Sequence, residues 1–219
     1  RDVTDRPVQG TAILGVFGLQ VAVTGRSERV LREAGVPVRV LHTHPLDHAG
    51  YYPGAEQLAL KLIVDPRTDL ILGAQAVGRH GADKRIDVIA TAMRAGLPAR
   101  ELVDLDLTYA PQFGSAKDPV NMLGYLDANL VDGLVETVQW HELDGLRPLV
   151  DVRSATEHAA GSIPGAVNVD LDALRENLDR VPDGAVVFCQ VGLRGYLATR
   201  LLRQHGIEVV NLDGGMRTW

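Results

Sequence analysis

The order in which apolar segments follow one another changes once along this chain, and that change limits the fold more than any single residue does. Up to about residue 130 strands come in groups before helices. Residues 58–76, "LALKLIVDPRTDLILGAQA", put Leu58, Leu60, Leu62 and Val64 on one side of an extended strand, and Leu70, Leu72, Ala74 and Ala76 repeat the alternation. The intervening "DPRTD" is turn chemistry, so a β-hairpin with one buried face is expected. In "DKRIDVIATAMRAG", Ile86, Ile89 and Met93 recur at helical intervals between Asp83 as N-cap and Gly96 as a stop, with Pro98 beyond. "TAILGVFGLQVAVTG" and "VPVRVLH" read as strands around a short helix from Ser27 to Ala34, and "DPVNMLGYLDANL" as another helix. This grouping predicts an α+β domain over residues 1–130.

From residue 139 the rhythm is different. "PLVDV" is a short apolar strand, and "SATEHAAG" opens with Ser154 three residues before Glu157, the pattern of a capping box, which makes Glu157 structural. "LDALRENLDRV" predicts a helix closed by "PDG", and the strand "AVVF" follows. Then come the loop "CQVGLRG" and the helix "LRGYLATRLLRQHG", with Leu193, Leu197 and Leu201 on one stripe and Gly206 at its stop. "IEVVNL" is a last strand before "DGG". This βαβαβ order predicts a small α/β domain over residues 139–219, with a parallel sheet and ligands at the carboxyl ends of its strands. Residues 131–138 are expected to link the two domains.

The chain of 219 residues, 46% hydrophobic and 23% charged, is long enough for two such domains. One cysteine excludes an internal disulfide framework and a Cys-rich zinc site and predicts a reducing, cytoplasmic setting. A net charge of −6 without a basic block favours neither nucleic acid nor an anionic membrane surface. No run approaches the roughly 20 apolar residues that a span needs. The first residue is Arg1, which suggests a processed product or a piece of a longer polypeptide.

That single thiol, Cys189, stands at a strand end before a glycine-containing turn and a helix. There the backbone N–H groups of Gln190, Val191, Gly192, Leu193 and Arg194 can converge, helped by the helix dipole. Such a cradle, with the Arg194 guanidinium beside it, favours the thiolate over the thiol. Gly192 permits the positive φ that the turn needs. The competing reading is a small buried hydrophobe. A side chain closed in by aliphatics, or turned away from the amides, would remove the basis for a functional thiol. A phosphatase loop surrounds a tetrahedral phosphoryl group with about five residues between Cys and Arg. Here there are four, and the tighter ring fits one extra sulfur on the cysteine.

"LVDVRSATEHAAGSIPGAVNV", "VVFCQVGLRGYLATRLL" and "VVNLDGGMRTW" together resemble a rhodanese (sulfurtransferase) domain over residues 139–219. The resemblance implies that Cys189 carries sulfur, that Arg194 closes the loop, and that Gln190, Val191, Gly192, Leu193 and Gly195 belong to the substrate-binding loop. Two positions depart from the pattern. Gln190 stands where many rhodaneses have arginine, which implies a less charged donor than thiosulfate, and Ser162 stands where histidine is common.

"GTAILGVFGLQVAVTG", "HAGYYPGA", "ILGAQAVG" and "DLTYAPQFGSAKDPVNMLGY" resemble the C-terminal dimerisation domain of FAD-dependent pyridine nucleotide-disulfide reductases, in particular coenzyme A-disulfide reductases with a rhodanese tail. The resemblance runs from residue 10 to 128. It implies a homodimer in which Tyr51 and Tyr109 reach the partner subunit's redox centre, while Tyr52 is an ordinary aromatic. It also implies FAD, NAD(P)H and coenzyme A for a full-length parent. No Gly-x-Gly-x-x-Gly occurs in these residues, so the chain alone is expected to bind none of them. His42, His44, Asp47 and His48 approximate the HxHxDH signature of metallo-β-lactamase-like hydrolases, some of which are fused to rhodanese domains. The spacing is off by one, so hydrogen-bonded loop histidines and no metal are expected. A non-catalytic dimer scaffold that docks sulfur carriers is the remaining alternative.

Overall fold

The computed structural model describes residues 7–219 and divides into two compact units, Arg1–Ala128 and Asn129–Trp219. In the first, β1 (Ala12–Val16), β2 (Leu19–Gly25), β3 (Arg39–Thr43), β4 (Ala59–Val64) and β5 (Ile71–Gly78) form an antiparallel sheet in the order β1-β2-β5-β4-β3. The run "TAILGVFGLQVAVTG" is itself a hairpin. Phe17 and Gly18 take φ of 48° and 76°, the left-handed pair that matches the twist of the flanking strands.

The β4–β5 hairpin forms as expected, and Leu58, Leu60, Leu62 and Val64 are buried. The alternation in β5 differs. Ile63 pairs with Gly73 and Val64 with Ile71, so Leu72 is left over at a bulge and Ile71 becomes the buried residue. Leu70, outside the strand, is 40% exposed.

This unit also holds α1 (Glu28–Glu33), capped by Ser27, α2 (Ala82–Ala95) and most of α3 (Pro119–Val131). The N-cap of α2 is Gly81, not Asp83. Gln20 Oε1 accepts the Ala82 N–H at 3.1 Å, which frees Asp83 to lie in the first turn, where its charge suits the helix dipole. Arg85, 2% exposed, donates to Asp118 and to the Asp47 carbonyl, tying α2 to the start of α3. Asn121 Nδ2 reaches the carbonyls of Leu102, Val103 and Leu105.

The second unit holds a parallel sheet, β6 (Thr137–Val138), β7 (Leu149–Asp151), β8 (Val167–Asn168), β9 (Val186–Phe188) and β10 (Val210–Leu212), in the order β6-β10-β9-β7-β8. β6 comes from the residues expected to link the domains. Residues 171–181 do not form one helix. Two short 3-10 turns, Leu171–Glu176 and Leu178–Arg180, flank Asn177, whose φ of −131° breaks the helical path.

α4 (Ala155–Ala159) and α5 (Leu193–Gln204) pack on this sheet's connections and core. The leucine stripe of α5 is not its buried face. Of the stripe only Leu201 is buried; Leu193 and Leu197 are exposed, and Gly195, Ala198, Thr199 and Leu202 complete the inward face. Small residues face inward because the helix runs close to β10: a Cβ on Gly195 would lie 2.2 Å from Asn211 Oδ1. Among the described residues no helix is long and apolar enough to cross a membrane.

Candidate active site

β9 and its continuation alternate across the sheet. Ala185, Val187 and Cys189 pack with Val150, Val152, Ala198 and Leu202, while Val186 and Phe188 pack with Ile163 and Leu212 on the other face. Cys189 is therefore the last inward residue of a central strand, at the carboxyl edge of a parallel sheet. Beyond it Gly192 turns the chain at φ 96° and serves as the N-cap of α5. The Gly192 N–H donates to Cys189 Sγ at 3.2 Å. Behind the loop, Gly214 and Gly215 hold φ of 67° and 62°, which directs the Met216 and Arg217 N–H groups to the Cys189 and Gln190 carbonyls at 2.9 and 3.0 Å.

The thiol meets one of the two conditions that would remove a functional role and not the other. Cys189 is 0% exposed and belongs to an aliphatic cluster, yet its sulfur faces the loop and takes an amide hydrogen bond. In this state the sulfur is closed off from solvent.

Charged side chains surround the loop in two sets. Asp151, at the end of β7 beside β9, accepts from Arg153 Nη2 at 2.8 Å, Ser162 Oγ at 2.8 Å and His158 Nδ1 at 3.0 Å. Burial works to raise the Asp151 carboxyl, but the hydrogen bonds of Arg153 and His158, with the Arg153 amide and Ser162, bring it down to about 2. Arg153, 4% exposed, also donates from Nη1 to Gln190 Oε1 at 3.0 Å.

The second set is Glu157 and Arg194, paired fork to fork at 2.8 and 2.6 Å. The Arg194 hydrogen bonds, helped by Ser154 against burial, bring Glu157 to about 2. Glu157 in turn holds Arg194 above its ordinary range, and Cys189 acts on it in the same direction. Glu157 also completes the expected capping box with Ser154. Asp151, Arg153 and His158 were not singled out from the sequence. Their one signal was an Asp and an Arg two residues apart at a parallel strand end.

Two family comparisons cover most of the chain. The family described as "Pyridine nucleotide-disulphide oxidoreductase, dimerisation domain" matches residues 11–119, and the family described as "Rhodanese-like domain" matches residues 130–219. The chain joins a pyridine nucleotide-disulphide oxidoreductase dimerisation domain to a rhodanese-like domain. A coenzyme A disulfide reductase of Staphylococcus aureus is 47% identical over 78 residues, which are 36% of this chain and 18% of that protein. The reduced CoADR-RHD of Bacillus anthracis superposes with a TM-score of 0.93 at 47% identity, over 96% of this chain and 39% of that one. An NAD-dependent persulfide reductase from A. fulgidus superposes with a TM-score of 0.90 at 37% identity, over 100% of this chain and 40% of that one. The chain thus spans about two-fifths of the length of these solved relatives.

Within the rhodanese-like domain the other expected loop residues are placed unequally. Gln190, Val191 and Gly192 are half-buried in the loop, Leu193 is exposed at the start of α5, and Gly195 lies inside α5 as a packing residue. In the dimerisation domain the hydroxyls of Tyr51 and Tyr109 meet at 2.9 Å, and that hydrogen bond raises the Tyr109 hydroxyl. Both rings are exposed, as is Tyr52.

The histidines do not gather. His42 lies on β3 in register with Lys61, His44 is buried, and His48 Nδ1 pairs with Asp47 Oδ1 at 2.9 Å while its ring meets Tyr52 edge-on. Among the described residues no group of three or more His, Cys, Asp or Glu side chains is placed to hold a metal.

Proposed function

We propose that the rhodanese-like domain is a sulfurtransferase whose Cys189 carries a sulfane sulfur as a persulfide. We propose further that the chain is the C-terminal part of a flavin-dependent reductase of coenzyme A disulfides, persulfides or polysulfides. The observation that carries the reading is the Gly192 N–H held on Cys189 Sγ at the mouth of a four-residue Cys-to-Arg loop. In the first step the Cys189 thiolate attacks the outer sulfur of a donor persulfide, polysulfide or thiosulfate. One S–S bond forms, the donor's S–S bond breaks, and the donor leaves as a thiolate, a shorter polysulfide or sulfite. An acceptor thiolate then attacks the outer sulfur of the Cys189 persulfide and returns Cys189 to its thiolate, with no net change of oxidation state. The loop amides and Arg194 stabilise the charge on sulfur, and Gln190 in place of a cation suits a donor less charged than thiosulfate.

Because the sulfur is fully buried, each turnover includes a local opening of the loop, an event drawn from the low-stability end of the native ensemble. By the same reading the dimerisation domain forms a homodimer, and Tyr51 and Tyr109 meet the redox centre of the partner. The first domain's sheet is antiparallel, and among the described residues no turn between a strand and a helix carries the Gly-x-Gly-x-x-Gly pattern that cradles a dinucleotide. The residues present do not form a site for FAD or NAD(P)H, which by the same reading belong to the full-length parent.

Incubation with polysulfide followed by peptide mass spectrometry tests the reading: one added sulfur is expected on the peptide bearing Cys189 and none in the Cys189→Ser protein. The complete burial of Cys189 favours a second reading, a dimer scaffold that docks sulfur carriers without turnover. A dimer on size-exclusion chromatography that never takes up sulfur would select it.

A further inference from the structure

The loop over Cys189 is tied at both ends to one short stretch of chain. At its start, Gln190 Oε1 accepts from Arg153 Nη1 at 3.0 Å. At its end, Arg194 Nη1 and Nη2 donate to the two Glu157 oxygens at 2.8 and 2.6 Å. Residues 153–157 leave β7 and enter α4, so both ties run to the same connection.

The two ties differ in access to solvent. Arg153 is 4% exposed, whereas the side chains of Arg194 and Glu157 are 36% and 38% exposed. A pair that wet is held loosely and open to competition from a dissolved anion, while the Arg153 tie is not. Glu157 also caps α4: its Oε2 accepts from Ser154 N at 3.1 Å and Ser154 Oγ at 3.0 Å, while both its oxygens meet Arg194.

We propose that Glu157 is a positioning residue of the sulfur site: its pairing with Arg194 latches the loop shut over Cys189, and an anionic sulfane donor opens the site by taking the Arg194 guanidinium from it. The donor meaning of the latch rests on the sulfurtransferase reading, but the latch itself does not. The anion that draws Arg194 away from Glu157 uncovers the thiolate that will attack it, so the empty site stays closed to neutral reagents. Capping and latching use the same carboxylate but are separable. Glu157→Gln still offers the capping oxygen and loses the charge that holds Arg194. Ser154→Ala removes the side-chain cap and leaves the ion pair.

The test is the rate at which the uncharged reagent iodoacetamide alkylates Cys189 in the whole chain, followed from about pH 5 to about pH 10 to separate opening from thiolate formation. Glu157→Gln is expected to raise the high-pH plateau rate about fivefold, the effect of losing one partly exposed ion pair. Ser154→Ala is expected to lower the thermal midpoint while its plateau stays within about twofold of the parent. The proposal is overturned if Glu157→Gln keeps the parent's plateau and only moves the inflection of the profile, or if Ser154→Ala accelerates alkylation as much. Should Glu157→Gln not fold, Arg194→Lys decides: loss of the two-pronged contact must raise the plateau, and an unchanged plateau rejects the latch. Sulfur uptake from polysulfide, measured on the parent protein, is independent of these rates. Its absence would reject the sulfurtransferase reading while leaving the latch standing.

Discussion

Gly215 lies directly behind the backbone of Cys189. A Cβ at this position would sit 2.4 Å from the Cys189 carbonyl oxygen and 2.9 Å from the Gly192 nitrogen, and the residue's φ is +62°. Neither neighbour can yield, because both are backbone atoms of the loop that holds the sulfur. Gly215→Ala is expected to cost at least about 2 kcal/mol in urea unfolding, from left-handed strain plus the clash. Gly206 provides the control: its φ is +76°, but nothing lies within 4 Å of its Cβ position. Gly206→Ala should cost only about 1 kcal/mol. Equal costs would mean that the segment 214–217 does not brace the loop.

Asp151 sets the acid limit of the rhodanese-like domain. Its carboxyl is 0% exposed and stands at about 2 in the folded chain, against an ordinary value of 3.8. The folded value is depressed, so the stabilisation is complete above about pH 4 and is lost as pH falls through about 2. The shift corresponds to about 2 kcal/mol. Asp151→Asn should abolish that acid-dependent loss and, at neutral pH, leave Arg153 buried without its carboxylate, a cost of about 3–5 kcal/mol. Urea midpoints at about pH 7 and about pH 3 check both; a variant as stable as the parent at neutral pH rejects the account.

The buried face of α5 is read by leucine truncation. Leu202 is 0% exposed and Leu197 is 47% exposed, although both fall in the helix and only Leu197 lies on the stripe that periodicity selects. Leu202→Ala should cost about 2–5 kcal/mol, and Leu197→Ala should stay within about 0.5 kcal/mol of the parent. Chemical denaturation of the two variants distinguishes the faces.

Features written in local patterns were legible in the sequence. Ser154 and Glu157 form the capping box their spacing announces, and Gly96 ends α2 in the left-handed conformation that its position called for. What was missed depends on distant chain. The inward face of α5 follows from the close approach of Gly195 to Asn211, and spacing within the helix carries no trace of β10. Asp151 and Arg153 join the site because β7 lies beside β9, a fact of sheet order. The helix expected over residues 171–181 breaks at Asn177, and the N-cap of α2 moves to Gly81 because Gln20, some 60 residues earlier, supplies the acceptor.

In the dimerisation domain a carboxyl responds to pH with the opposite sign. Asp127, on α3, is 0% exposed; its Oδ1 accepts from Arg39 Nε at 2.7 Å, and its Oδ2 meets no hydrogen-bond partner among the described residues. Arg39 also pairs with Asp69, so one guanidinium serves two carboxylates. Burial pushes Asp127 up to about 6, against the attraction of Arg39 and with the repulsion of Asp69. A raised value means that the folded chain binds the extra proton: the stabilisation from this group is full below about pH 4 and is lost as pH rises through about 6. Asp69 is lowered and works the other way, its contribution lost only as pH falls. Asp127→Asn isolates the first effect, because the amide does not titrate. Between about pH 4.5 and about pH 7 the parent should lose about 2 kcal/mol of stability relative to this variant. Parallel profiles of the two proteins over that interval would show that Asp127 keeps its charge throughout and that Arg39 compensates its burial in full.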